Sequence, residues 1–283
     1  MCRMAPVQRA FAQVDVFTSG PLSGNPVAVV LDGDGLSTEQ MQRFANWTNL
    51  SETTFFCAPT EPTADYRLRI FTPGTELPFA GHPTLGSAAA WLAMGKEPKG
   101  ADIVQECGAG LVTIRRDGED LTFAAPPLVR SGPLDADTLG RAAAGLGLSP
   151  SDITASAWVD NGPGWLGLML TSGERVLQLQ PDFAAIGDLM IGVIGPYRDG
   201  SDAPDYEVRA FAPGVGVPED PVTGSLNAGL AVWLRGEEQV PDRYVAAQGA
   251  ALGRAGRLRI CDDGTDVWVG GVSDITITGT VRI

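Results

Sequence analysis

Three side chains able to hold or move a proton stand at points where the sequence changes character. His82 is the only histidine in the chain, and imidazole is the one side chain whose ordinary charge change falls near neutral pH. It precedes Pro83, just as Asp220 precedes Pro221. Proline suits the first position of a helix because its missing N–H is one that a helix leaves without an internal partner. The pattern therefore predicts helices over residues 83–94 and 221–234, with His82 and Asp220 as their N-cap residues. A helix start presents free N–H groups and the positive end of the dipole, so each start is expected to favour an anion. Aspartate is an ordinary cap, but histidine is a poor one, so His82 calls for a further reason. Gly86-Ser87 and Gly224-Ser225 follow in the two segments, and small residues there would let a ligand approach the backbone. The third side chain is Glu52 in Asn49-Leu-Ser-Glu-Thr-Thr-Phe-Phe56, a carboxylate directly ahead of an apolar strand.

These residues are embedded in a sequence written twice. Leu68-Arg-Ile-Phe-Thr-Pro-Gly74 matches Val208-Arg-Ala-Phe-Ala-Pro-Gly214, and Gly81-His-Pro-Thr-Leu-Gly-Ser87 matches Glu219-Asp-Pro-Val-Thr-Gly-Ser225. Both copies run on to a Trp-Leu pair, Trp91-Leu92 and Trp233-Leu234. The offset near half the chain predicts two homologous domains, 1–128 and 129–283, with residues 125–133 as the linker and the last strand returning to the first half. The two helix starts are expected to face one cleft across a pseudo-twofold axis. Setting Cys57-Ala-Pro59 against Ile194-Gly-Pro196 places Leu189 opposite Glu52, so the carboxylate belongs to one copy alone.

Within a copy, strands are read at residues 8–17, 26–31, 53–57, 66–71, 103–106, 111–115 and 121–124 from their alternating or β-branched composition. Ser37 with Gln40 three residues later reads as a capping box opening a helix. Each half is thus expected to be an α+β domain, a mostly antiparallel sheet around one central helix.

The 34 acidic and 20 basic residues among 283 give a net charge of -14, which argues against nucleic acid or an anionic membrane as partner. The 44% hydrophobic content suffices for a proper core, and no apolar run approaches the roughly 18 residues of a membrane span. The N-terminus has no apolar signal segment. The expected setting is soluble and cytoplasmic. Cys2, Cys57, Cys107 and Cys261 are scattered, with no pairing that reads as a zinc site or disulfide framework. No nucleotide, flavin or metal motif is present, so no cofactor is expected. A serine hydrolase is disfavoured, since no Gly-x-Ser-x-Gly elbow surrounds Ser87 or Ser225.

Taken together, Asp15-Val-Phe with Gly24-Asn-Pro26, Asn49-Leu-Ser-Glu-Thr-Thr-Phe55, Glu76-Leu-Pro-Phe-Ala-Gly-His-Pro-Thr84 and Asp220-Pro-Val-Thr-Gly-Ser225 resemble the PhzF-like isomerases, relatives of diaminopimelate epimerase. The resemblance spans essentially the whole chain. It implies two domains of the diaminopimelate epimerase-like fold, a cofactor-free site, a homodimer and a small anionic metabolite as substrate. It also implies that Glu52 transfers the proton and that His82, Asp220 and Ser225 line the substrate, with Glu76 and Asn25 in lesser roles. Gly81 and Gly224, at the helix starts that favour an anion, are expected to contact the substrate as well. Epimerase relatives use a cysteine pair at the helix starts, and neither start carries cysteine here. The function expected from the resemblance is a proton shift between carbons of a small unsaturated or amino-substituted carboxylic acid, of the trans-2,3-dihydro-3-hydroxyanthranilate isomerase type. An amino-acid epimerase or racemase, or a non-catalytic small-molecule-binding homologue, is the alternative.

Overall fold

A computed structural model describes residues 7–197 and 204–283; Cys2 lies outside them. The chain forms two units, residues 1–123 with 271–283, and residues 124–270. The expected boundary after residue 128 therefore shifts, while the last strand lies with the first half. Residues 124–128 go with the second unit, and residues 271–283 go with the first.

In the first unit the elements run β1 (Gln8–Val16), β2 (Asn25–Val30), α1 (Thr38–Thr48), β3 (Thr53–Cys57), β4 (Tyr66–Phe71), β5 (Glu76–Leu77), α2 (Gly81–Ala93), β6 (Ile103–Cys107), β7 (Gly110–Asp117) and β8 (Asp120–Ala124). β1 and β2 are antiparallel, β2 and β3 parallel with α1 as the crossover, β3 and β4 antiparallel, and β4 and β6 parallel with α2 as the crossover. Helix α1 starts as its sequence predicts. Ser37 Oγ accepts from the Gln40 N–H at 3.2 Å, and Gln40 Oε1 accepts from the Ser37 N–H at 2.9 Å.

The second unit holds β9 (Arg130–Gly132), α3 (Ala136–Gly145), β10 (Ile153–Asp160), β11 (Trp165–Leu170), α4 (Gly173–Leu177), α5 (Phe183–Ile186), β12 (Met190–Pro196), β13 (Tyr206–Ala212), β14 (Val217–Asp220), α6 (Gly224–Gly236), β15 (Arg243–Gln248), β16 (Gly256–Asp262) and the start of β17 (Val267–Arg282). Its pairings repeat those of the first unit in order. β10 and β11 are antiparallel, β11 and β12 parallel, β12 and β13 antiparallel, and β13 and β15 parallel. The part of β17 beyond Gly270 belongs to the first unit, where residues 273–282 pair with β1.

The cores follow from this layering. Val30, Met41, Ala45, Phe55 and Phe71 form one buried cluster in the first unit. Leu166, Leu168, Leu170, Val176, Ile191, Val193 and Phe211 belong to one in the second. Residues 81–88 of α2 are all buried, as expected of a helix that is apolar nearly all round. Both central helices are 13 residues long, and both carry glycine at the sixth position. A Cβ on Gly86 would stand 2.4 Å from Val27 Cγ1, and one on Gly229 would stand 2.3 Å from the Val159 carbonyl oxygen. The glycines let each helix lie directly on its sheet, so the small residue at 86 serves core packing rather than ligand approach.

Register also revises the internal alignment. Phe56 pairs with Leu68 and Ile194 with Val208, so with Leu68 matched to Val208 the counterpart of Glu52 is Met190, one residue from the expected Leu189. Likewise Ile70 pairs with Leu77 and Ala210 with Asp220, so the counterpart of Asp220 is Leu77 rather than His82. Among the described residues, no helix is long and apolar enough to cross a membrane.

Candidate active site

Glu52 sits in the short connection between α1 and β3. Asn49 ends α1 in the left-handed region at φ 55°, a conformation asparagine tolerates better than most side chains. The Thr48 and Thr53 hydroxyls then bridge the loop at 2.9 Å. The Glu52 carbonyl takes the Ala28 N–H at 3.4 Å, which starts the parallel ladder of β2 and β3. The Glu52 carbonyl is thereby tied to β2 while its side chain keeps 16% exposure.

His82 approaches from α2. It is not the cap. The N-cap is Ala80, in an extended conformation with no side-chain capping bond, and His82 is the second helical residue. Pro83 therefore falls at the third position, still within the first turn, where its missing N–H breaks no internal bond. Gly81 opens the helix against the Phe123 ring, where a Cβ would come within 2.4 Å of Cζ. The imidazole is buried, and its Nδ1 lies 3.2 Å from Glu52 Oε2. Desolvation pushes the His82 pKa down to about 3, outweighing a backbone hydrogen bond to Pro26 that favours the charged ring. At neutral pH His82 is thus a neutral imidazole beside a carboxyl group. Below the pair, the Thr54 and Ser87 hydroxyls meet at 2.8 Å and Gln105 Nε2 donates to Thr84 Oγ1 at 3.0 Å.

In the second unit Asp220 is not an N-cap either. It closes β14, opposite Ala210, and α6 begins four residues later with Thr223 as N-cap. The reason lies far along the chain. Gln248 Oε1 accepts the Thr223 N–H at 3.0 Å and Gln248 Nε2 donates to the Asp220 carbonyl at 3.0 Å, which holds residues 220–223 in a turn. Thr223 Oγ1 donates to Asp220 Oδ2 at 2.5 Å.

Ser225 is the second residue of α6, the helical position that His82 occupies in α2, and Gly224 and Gly81 are the matching first residues. Trp165 Nε1 donates to Ser225 Oγ at 3.1 Å and Asn161 Nδ2 donates to the Ser225 carbonyl at 2.9 Å. Asn161 lies in the β10–β11 turn and Trp165 opens β11; Asp160 shapes the turn by accepting the Gly162 and Gly164 N–H groups at 2.7 Å each. With Trp165 filling a lone pair, the Ser225 proton is left to be donated elsewhere.

The residues singled out from sequence thus fall into two groups. Glu52, His82 and Gly81 meet in the first unit, while Asp220, Gly224 and Ser225 gather at the start of α6 in the second. Glu76 braces β4 through a bidentate pair with Arg69, at 2.7 and 2.6 Å. Asn25 is buried at the start of β2, behind the Gly24 N–H that Asp15 accepts at 3.0 and 3.1 Å. Gln248, Asn161 and Trp165 escaped sequence reading, because no local spacing links them to the residues they hold. Thr223 lies within the Asp220–Ser225 motif, three residues from Asp220, without a role being read for it there.

The chain is similar to known proteins along nearly its whole length. Residues 14–280 match the phenazine biosynthesis-like protein family, PhzC-PhzF. The chain belongs to that family. A Pseudomonas aeruginosa protein named trans-2,3-dihydro-3-hydroxyanthranilate isomerase is 36% identical over 88% of this chain and 88% of its own length. A Schizosaccharomyces pombe protein named antisense-enhancing sequence 1 is 38% identical over 96% of this chain and 98% of its own. Among solved structures, a PhzF-family protein of Enterococcus faecalis superposes with a TM-score of 0.80 at 26% identity, covering 98% of this chain and 100% of that one. The fold is the epimerase-like α+β fold of PhzF proteins, and the chain is a PhzF-like isomerase.

Proposed function

We propose that this PhzF-like isomerase shifts a proton between two carbons of a small unsaturated or amino-substituted carboxylic acid, with trans-2,3-dihydro-3-hydroxyanthranilate as the type of substrate. The observation that carries the reading is the Glu52–His82 pair. A carboxyl group whose backbone carbonyl is tied to β2 stands 3.2 Å from an imidazole kept neutral by burial. Burial that disfavours the charged ring makes His82 a poor proton acceptor, so Glu52 is the group of the pair assigned to take a proton from carbon and return it. His82 holds the carboxyl in place and orients the substrate. Gly81, Asp220, Gly224 and Ser225 are assigned to substrate binding, with the Ser225 hydroxyl as a donor to an anionic group.

The relatives of nearly equal identity bear unlike names, so the substrate rests on the site residues and the family resemblance together. Neither central helix carries cysteine in its first turn, which speaks against a two-cysteine racemase. The reading extends to a cytoplasmic homodimer acting on a small anionic metabolite. Incubation with the dihydrohydroxyanthranilate in deuterium oxide, followed by mass spectrometry of the product, tests the reaction: one deuterium at a ring carbon supports it, and unchanged mass with unchanged substrate refutes it.

A further inference from the structure

The polar side chains around Asp220 form a chain in which each proton has only one place to go. Gln248 is buried, and its Oε1 end faces two groups that can only donate, the Thr223 N–H at 3.0 Å and Asn227 Nδ2 at 2.9 Å. Asn227 Nδ2 also donates to the Thr223 carbonyl at 2.9 Å, so that amide is fixed as well. The other end of Gln248 must then be the NH2 group. It donates to the Asp220 carbonyl at 3.0 Å and to Thr223 Oγ1 at 2.8 Å. A threonine hydroxyl has one proton. With Gln248 supplying a hydrogen bond to its oxygen, that proton points to Asp220 Oδ2, 2.5 Å away, within the range of a charge-assisted O–H···O⁻ bond.

We infer that Thr223 and Gln248 are positioning residues that hold Asp220 as an ionised, orientationally fixed acceptor at the start of α6. A hydrogen bond to the charged form of a carboxyl favours that form, and the direction of this relay allows no donation back from a protonated Oδ2. Besides Asp220, the charged residues of β13 and β14 are Glu207, which accepts from the Tyr197 hydroxyl at 2.8 Å, and Arg209 and Glu219, which are bonded to each other at 2.8 Å. After β15 comes Arg254, whose Cβ and the Pro221 carbonyl both crowd the Cβ position of Gly249. Gln248 thus does from 28 residues away what a local cap does elsewhere. It fixes the turn and aligns the acceptor in one stroke. The bearing on catalysis rests on the proposed function: an ionised Asp220 accepts from a donor on the substrate, such as an amino or hydroxyl group, and repels a second carboxylate.

The test is a carbon-13 NMR titration of the full-length protein labelled at aspartate carboxyls, with Asp220 assigned through Asp220→Asn. Thr223→Val keeps the shape and removes the hydroxyl, and should raise the Asp220 midpoint by roughly one pH unit. Thr223→Ser restores the hydroxyl and should return the midpoint to the wild-type value. Gln248→Met frees the Thr223 hydroxyl to turn away, and should move the midpoint in the same direction by less. An unchanged midpoint in Thr223→Val, or a Ser variant displaced as far as the Val variant, overturns the inference. Should the Val variant fail to fold, an unchanged midpoint in Gln248→Met overturns it and a raised one supports it. No substrate is present in the titration, so a chain without isomerase activity would contradict the proposed function and leave this result standing.

Discussion

The two units carry the same arginine–glutamate clamp and treat it differently. In the first, Arg69 on β4 grips Glu76 on β5 and stands 5.1 Å above the Phe71 ring. In the second, Arg209 on β13 grips Glu219 on β14 and stands 4.9 Å above the Phe211 ring. The first pair is half open, with side-chain exposures of 19% and 38%, and the second is closed, at 5% and 8%. Arg209 also donates to the Val176 carbonyl of α4 at 3.4 Å and to the Leu179 carbonyl just beyond it at 2.8 Å, which ties this end of α4 to the sheet. Charges that recur at matched positions are therefore scaffold, tuned by burial. Charges that occur once need another account, and Glu52 opposite Met190 is the clearest of them.

The largest stability effect should come from breaking the closed clamp. Arg209→Ala strands Glu219 in the interior and is expected to cost about 3–5 kcal/mol in denaturant unfolding. Arg69→Ala should cost about 1 kcal/mol or less, because solvent reaches Glu76. Equal losses from the two variants would remove the distinction between the units.

Glu207 sharpens the comparison, since the matching position on β4 is Arg67. Burial pushes the Glu207 pKa up to about 7, against the pull of the Tyr197 hydroxyl, which donates to Oε2 at 2.8 Å. A carboxyl whose folded pKa lies above its unfolded one keeps its proton in the folded state longer. Stability is therefore lost as pH rises from about 4.5 to about 7, by up to roughly 3 kcal/mol at 1.36 kcal/mol per unit. Glu207→Gln should flatten that slope, and unfolding free energies measured from pH 4 to 8 would show it. A variant whose slope matches the wild type contradicts the assignment.

Effects as small as that of the open clamp should come from the crossover helices. Ser37 caps α1 and Ser172 caps α4, each accepting an N–H at 3.2 Å. Either serine to alanine should cost about 1 kcal/mol, checked by thermal unfolding.

Much of the fold was legible because its signals are local. Tyr66–Phe71 and Thr53–Cys57 are β-branched and aromatic runs, and they form the strands read from sequence without a residue's change. Ser37 and Gln40 pair within one helical turn. The helix starts misled for the opposite reason. Proline at 83 and 221 fits a first helical position, yet strand pairing carries β14 through Asp220 and Gln248 turns the chain before α6 begins. A side chain 25 residues beyond Thr223 leaves no mark on the sequence around it. Matching residues 81–87 to 219–225 likewise followed letters, whereas the glycines at 86 and 229 show that His82 and Ser225 share a helix position. Glu52 and His82 were legible as reactive types, but their meeting at 3.2 Å depends on α2 lying against the first sheet.

The central claim is that the carboxyl found in one unit only carries the proton. Turnover and deuterium incorporation by Glu52→Gln in deuterium oxide, set beside ligand binding by the same variant, address it directly. The amide keeps the size and much of the hydrogen bonding of Glu52 but cannot exchange a proton. Binding should persist while turnover and deuterium gain fall together by at least about 100-fold. Near-wild-type turnover in Glu52→Gln would contradict the account and return Glu52 to the role of a loop residue.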